Sequence, residues 1–121
     1  MKAETLIFDK VKSIIPDNSE KTVFFAAISN TSYEVFFYSF KDGKAVQCFT
    51  LAEQGVLDGD ELDSVFEAIV KIIKESKDYN QDKLNIATIT VDDAGMKMNI
   101  DYYEINDRLY RIKKDWMKGV I

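Results

Sequence analysis

The sequence predicts one α+β domain, with an antiparallel sheet packed against helices in the order α-β-β-β-α-β-β-α. Three observations lead there. Apolar residues recur at helical spacing in three separate stretches. Between them lie two groups of β-branched and aromatic segments, each joined by short polar turns. The 121 residues are 46% hydrophobic and 31% charged, the balance of an ordinary globular chain with enough apolar surface for its own core.

The first helix is read over residues 3–15. Ile7, Val11 and Ile14 repeat at i, i+4 and i+7, Phe8 and Ile15 widen the stripe, and Asp9, Lys10 and Lys12 take the opposite side. Pro16 ends it, because proline disfavours helical geometry in the residue before it. Thr22–Ser29 and Ser32–Lys41 then read as a hairpin turning at Asn30-Thr31. The second of these strands carries Tyr33, Val35 and Phe37 on one side and Phe36, Tyr38 and Phe40 on the other. A strand apolar on both sides is central or has both faces covered. Asp42-Gly43 supplies a tight turn into a third strand, Ala45–Leu51, where Cys48 is expected as a small core residue.

Ala52–Gly59 is expected to be a loop, with Asp60 as N-cap of a second helix reaching about Asp78. Leu62, Val65, Phe66, Ile69, Ile72 and Ile73 give it a continuous apolar stripe. Leu84–Val91 and Met96–Ile105 form a second hairpin around Asp92-Asp93-Ala94-Gly95. In its last strand Met98, Ile100 and Tyr102 share one face, which is expected to be core, and Asn99, Asp101 and Tyr103 share the other, an acidic and aromatic surface suited to a partner, since side chains alternate. Asn106-Asp107 is a cap for a third helix, where Leu109, Ile112, Trp116 and Val120 align.

The net charge of −5 is unevenly distributed: zero over residues 1–41, −9 over 42–107 and +4 over 108–121. An acidic middle repels nucleic acid and favours a basic partner. The chain contains no histidine, which excludes imidazole-relayed serine or cysteine catalysis, and one cysteine is too few for the common zinc sites. A lone cysteine fits a reducing compartment, no apolar run has membrane-spanning length, and no signal peptide is read at the N-terminus. These features point to a cytoplasmic location, with no membrane and no direct nucleic-acid partner.

Few constellations carry chemistry. Asp58, Asp60, Glu61 and Asp63 lack the internal glycine and closing glutamate of a calcium loop, so they read as helix capping and solvated surface. Asp92 and Asp93 are adjacent, and on a strand would point to opposite faces, which suits shared acid–base work poorly. Gly55, Gly59 and Gly95 do not cluster as a phosphate loop does. Arg108, Arg111, Lys113, Lys114 and Lys118 make the last helix basic, opposite an acidic remainder that they help to neutralise. No metal, cofactor or enzymatic activity is expected. Tyr103, between Asp101 and Glu104, offers apolar area with a hydroxyl and suits a protein contact.

Taken together, Ile14-Ile15-Pro16, the strand Val35-Phe36-Phe37-Tyr38, the acidic helix entry Asp58–Glu67 with Leu62 and Phe66, Gly95-Met96-Lys97 followed by Ile100-Asp101-Tyr102-Tyr103, and Arg111 five residues before Trp116 resemble the YezG-like immunity or antitoxin family of bacterial polymorphic-toxin systems. The resemblance spans nearly the whole chain. It implies a cytoplasmic, non-enzymatic antitoxin that binds a cognate nuclease toxin and covers its active site. An acidic protein can imitate the charge of a nuclease substrate and associate quickly with the basic surface that holds phosphates. The expected contact surface comprises Asp101, Tyr103 and Glu104, helped by Asp92, Asp93, Asp58, Asp60 and Asp63. The same element order also resembles type III secretion chaperones, which dimerise and hold an effector segment in extended form. A homodimer stays open under either reading.

Overall fold

The computed structural model describes residues 2–120; Met1 and Ile121 lie outside the described residues. Helix α1 (Ala3–Val11) continues as a 3-10 turn over Lys12–Ile14 and leads into strands β1 (Lys21–Ile28), β2 (Tyr33–Lys41) and β3 (Lys44–Gln47). A short helix α2 (Cys48–Glu53) precedes the long helix α3 (Gly59–Glu75). Strands β4 (Leu84–Asp92) and β5 (Gly95–Tyr103) follow, and helix α4 (Leu109–Val120) completes the chain. The five strands form one antiparallel sheet in the order β3-β2-β1-β4-β5. The α+β class and the order of major elements are as the sequence predicts, with α2 added.

β1 is the centre of the sheet, and after Lys21 every one of its residues is buried. On one face Phe24 lies beside Phe37, ring centroids 4.8 Å apart, and Phe37 meets the edge of Phe66 from α3. This face packs under α1 and α3, whose Ile7, Val11, Leu62, Ile69 and Ile73 fill the core. On the other face Phe25 stacks on Phe36 at 4.9 Å, and Trp116 of α4 approaches both rings edge-on at 5.1 and 5.8 Å. The Trp116 indole also donates a hydrogen bond of 2.9 Å to Thr88 Oγ1 on β4. One tryptophan therefore docks α4 over β1, β2 and β4 through both its ring and its N–H.

The turns follow the chemistry of their residues. Asp42 and Gly43 both take positive φ, 53° and 75°, the pair of left-handed conformations a two-residue hairpin of this twist needs. The Ser29 hydroxyl accepts from the amides of Thr31 and Ser32 and so closes the Asn30-Thr31 turn. Asn85, fully buried on β4, donates to the carbonyls of Ile28, Asn80 and Lys83 and accepts from the Asn80 amide, tying the α3–β4 loop to the sheet.

Several local expectations are corrected. The third strand stops at Gln47, and Cys48 opens α2 instead of lying in a strand. Cys48 and Leu51 are both buried, and residues three apart share a side only on a helix, since strand alternation would turn one of them outward. The N-cap of α3 is Asp58, not Asp60: its extended backbone precedes the helix and its carboxylate accepts from the Asp60 amide at 2.9 Å. The helix ends at Glu75, where the Ser76 hydroxyl and amide both bond to the Ile73 carbonyl and halt it before Asp78. Tyr102 is not core; it is 47% exposed, with its hydroxyl donating to the Asp78 carbonyl. Asp107 accepts from the Glu104 amide in the turn before α4, which begins two residues later.

Because α4 contributes no fully buried residue of its own, Trp116 should dominate its attachment. Trp116→Ala is expected to destabilise the fold by about 3 kcal/mol, a large aromatic truncation. Trp116→Phe, which keeps the ring packing and loses the Thr88 bond, is expected to cost about 1 kcal/mol. Urea unfolding followed by circular dichroism measures both.

Candidate functional site

The expected contact residues fall into three separate groups. Asp101 and Tyr103 lie at the end of β5, and Glu104 follows directly after it. Asp101 and Tyr103 are on the α4 side of the sheet, with Tyr103 37% exposed, and Glu104 is paired with Lys83. Asn99 donates to Asp101 at 3.4 Å. Across a groove of about 390 Å³ from Tyr103 stand Arg108, Arg111, Ile112 and Asp115. Glu104 is paired with Lys83, and Arg108 and Arg111 line the groove beside Tyr103, so this surface is mixed in charge.

Asp92 and Asp93 occupy the β4–β5 turn at the opposite end of β5, about 20 Å from Asp101 at the rise of a strand. Asp92 is spent partly on the turn, accepting from the Ala94 amide at 2.9 Å, and lies opposite Lys21 in the β1–β4 ladder. A cleft of about 270 Å³ brings both aspartates beside Lys12 and Pro16. They do not join the β5 group.

Asp58, Asp60 and Asp63 belong to the helical layer, at the N-terminal end of α3. That end is about 25 Å along the helix from the Asp78 carbonyl that holds Tyr102. Here the surroundings differ in kind. From Ala45 to Val70 the chain contains six acids, Glu53, Asp58, Asp60, Glu61, Asp63 and Glu67, and no base. All six are exposed, and none is in an ion pair among the described residues. Beside them Phe49 is 45% exposed and Val56 55% exposed, on α2 and on the loop that joins it to α3. The Phe49 ring leans on the edge of Phe66, centroids 6.5 Å apart, which fixes its position.

Part of this acidity is structural. Asp58 caps the helix, and Asp60 and Glu61 in the first turn face its positive end. Those roles do not account for Glu53, Asp63 and Glu67. Asp63 and Glu67, four apart on one helix face, repel each other. Sequence reasoning passed over Glu53, Glu67, Phe49 and Val56. The signal that marks them is the base-free interval between Lys44 and Lys71.

Little points to chemistry. Among the described residues, no three His, Cys, Asp or Glu side chains come together to hold a metal ion, and no helix is long and apolar enough to cross a membrane. Cys48 is fully buried, and burial pushes its thiol above the ordinary value of 9.0. Neither a family model nor a curated protein matches the chain. The family resemblance therefore rests on the residues quoted for it.

Cys48 gives a measurable consequence. The native thiol should resist an alkylating reagent at pH 8 and react fully on unfolding, because the thiolate is the reactive form. Its raised value means that the unfolded chain loses the proton first as pH climbs through 9.0. The stability associated with the neutral buried thiol is complete below that pH and declines above it. Urea midpoints at pH 7 and pH 10 check the sign.

Proposed function

We propose that this chain is a non-enzymatic binding protein, an immunity protein that neutralises a basic nuclease toxin by covering the surface on which the toxin holds phosphates. The observation that carries the reading is the corner formed by α2 and the start of α3: six exposed carboxylates without a base, flanking the exposed Phe49 and Val56. Charge of one sign around an apolar centre suits a protein interface, with the acids steering encounter and the apolar side chains excluding water at the core.

The corner fits the role better than the end of β5, where Lys83, Arg108 and Arg111 offset the acids. Tyr103 and Asp101 then lie outside the main contact. The resemblance to YezG-like proteins supplies the kind of partner, and the charge supplies its sign. A cytoplasmic location agrees with this role, since the toxin must be held inactive where it is made.

Co-expression with the nuclease toxin encoded beside the gene tests the reading. Survival of the cells and a stoichiometric complex are expected, with affinity that weakens as salt rises. Glu53→Lys, Asp63→Lys and Glu67→Lys together should lower affinity about 100-fold, mainly through slower association, while leaving the cap at Asp58 in place. Glu104→Lys should change affinity by less than about threefold, the effect of a distant, screened charge. Equal loss from both variants would move the interface toward β5. Failure to rescue, joined with capture of an extended secretion-effector segment, would favour the chaperone reading.

A further inference from the structure

The two edges of the sheet are unlike. β3 is four residues long, opens with Lys44 and runs directly into α2, which makes it a short, interrupted edge. β5 is nine residues long, contains no proline, and pairs with β4 from Asp92–Gly95 to Leu84–Tyr103 without a bulge. No hydrogen bond among the described residues reaches its outer backbone groups. Such an edge is a template for another strand.

The order of side chains along β5 identifies a strand that fits. Lys97 and Asp101 are on the same face, are both exposed, and have no ion-pair partner among the described residues. Four residues apart on a strand, they are about 13 Å from each other and cannot pair within the chain. Asn99 lies midway between them. On the other face stand Met96, Met98, Ile100 and Tyr102, the first three half-buried.

We propose that β5 pairs antiparallel with β5 of a second copy of this chain, with the two-fold axis passing through Asn99, to give a continuous ten-stranded sheet. A two-fold axis perpendicular to the sheet keeps each residue on its own face, so odd-numbered residues must lie opposite odd-numbered ones. With Asn99 opposite Asn99, Lys97 of each copy meets Asp101 of the other. Met98 meets Ile100, and Met96 meets the ring of Tyr102, a favourable sulfur–aromatic contact. All nine residues are paired. Sliding the register by two residues places Lys97 opposite another Asn99 or Tyr103 and loses both charge pairs. Charge complementarity therefore selects one register and one occupant, a second copy. The inference is independent of the toxin reading, because it uses neither the acidic corner nor the nature of any other partner.

Sedimentation velocity of the intact chain is expected to show a species of twice 13.9 kDa. Lys97→Asp and Asp101→Lys each place like charges opposite one another twice per interface and should weaken the dimer at least about tenfold. Mixing the two variants in equal amounts should restore it, since each lysine then faces an aspartate. Asn99→Cys should oxidise to a covalent dimer, because the two copies of that residue are neighbours across the axis, whereas Lys97→Cys should not. These are surface positions, and restoration on mixing itself reports that both variants are folded. A chain that remains monomeric at all measured concentrations overturns the proposal, as does a dimer indifferent to both charge changes. A monomer whose β5 amides become protected from exchange only on adding the basic partner would also overturn it and assign the edge to that partner.

Discussion

The fold depends on β1 being apolar on both sides. A strand whose side chains are all hidden cannot sit at an edge or beneath a single layer of helices; it must be central and covered twice. The Phe24–Phe37 pair faces α1 and α3, and the Phe25–Phe36 stack faces α4. The second cover is thin. It is one amphipathic helix, held by the edge of Trp116 against two rings and by the indole bond to Thr88. Lys113 adds an ion pair to Glu34 and a position 5.5 Å above the Phe36 ring. Placing α4 over β1, β2 and β4 leaves the outer face of β5 open, which is why Asn99, Asp101 and Tyr103 are exposed at all.

The distribution of charge follows from the same layering. The basic residues belong to α4, the only helix on its side of the sheet among the described residues, and Arg108 and Arg111 stand near the acids at the end of β5. The helical layer on the opposite side receives the acid-rich interval, which contains no base between Lys44 and Lys71. Where helix capping and turn formation explain an acid, its exposure carries little functional weight; Asp58 and Asp92 are such cases. The remainder, Glu53, Asp63 and Glu67, make no hydrogen bond or ion pair through their side chains among the described residues.

Much of the fold could be read from periodicity. The two-residue alternation placed β1, β2, β4 and β5 to within about two residues and overran the end of β3 by four, and the long apolar stripe from Leu62 to Ile73 identified α3. α2 was hidden because Cys48-Phe49-Thr50-Leu51 is short and apolar enough to pass for the end of a strand; only burial of both Cys48 and Leu51 separates the two readings. Strand order was beyond local pattern, since the pairing of β1 with β4 joins residues some sixty positions apart. The candidate surface was legible as acidity but not as geometry. Asp58, Asp92 and Asp101 look alike in the sequence, and only the fold shows them on three separate surfaces.

The central claim is that the α2–α3 corner, not the acidity of the chain as a whole, is what a basic partner recognises. An amide NMR titration of the isotopically labelled protein with a catalytically dead form of the neighbouring nuclease toxin tests it most directly. The account predicts that the largest shifts fall within residues 49–67 and that the amides of Asp92, Asp93 and Glu104 stay in place. Shifts centred on Asp101–Asp107 with the 49–67 segment unchanged would contradict it.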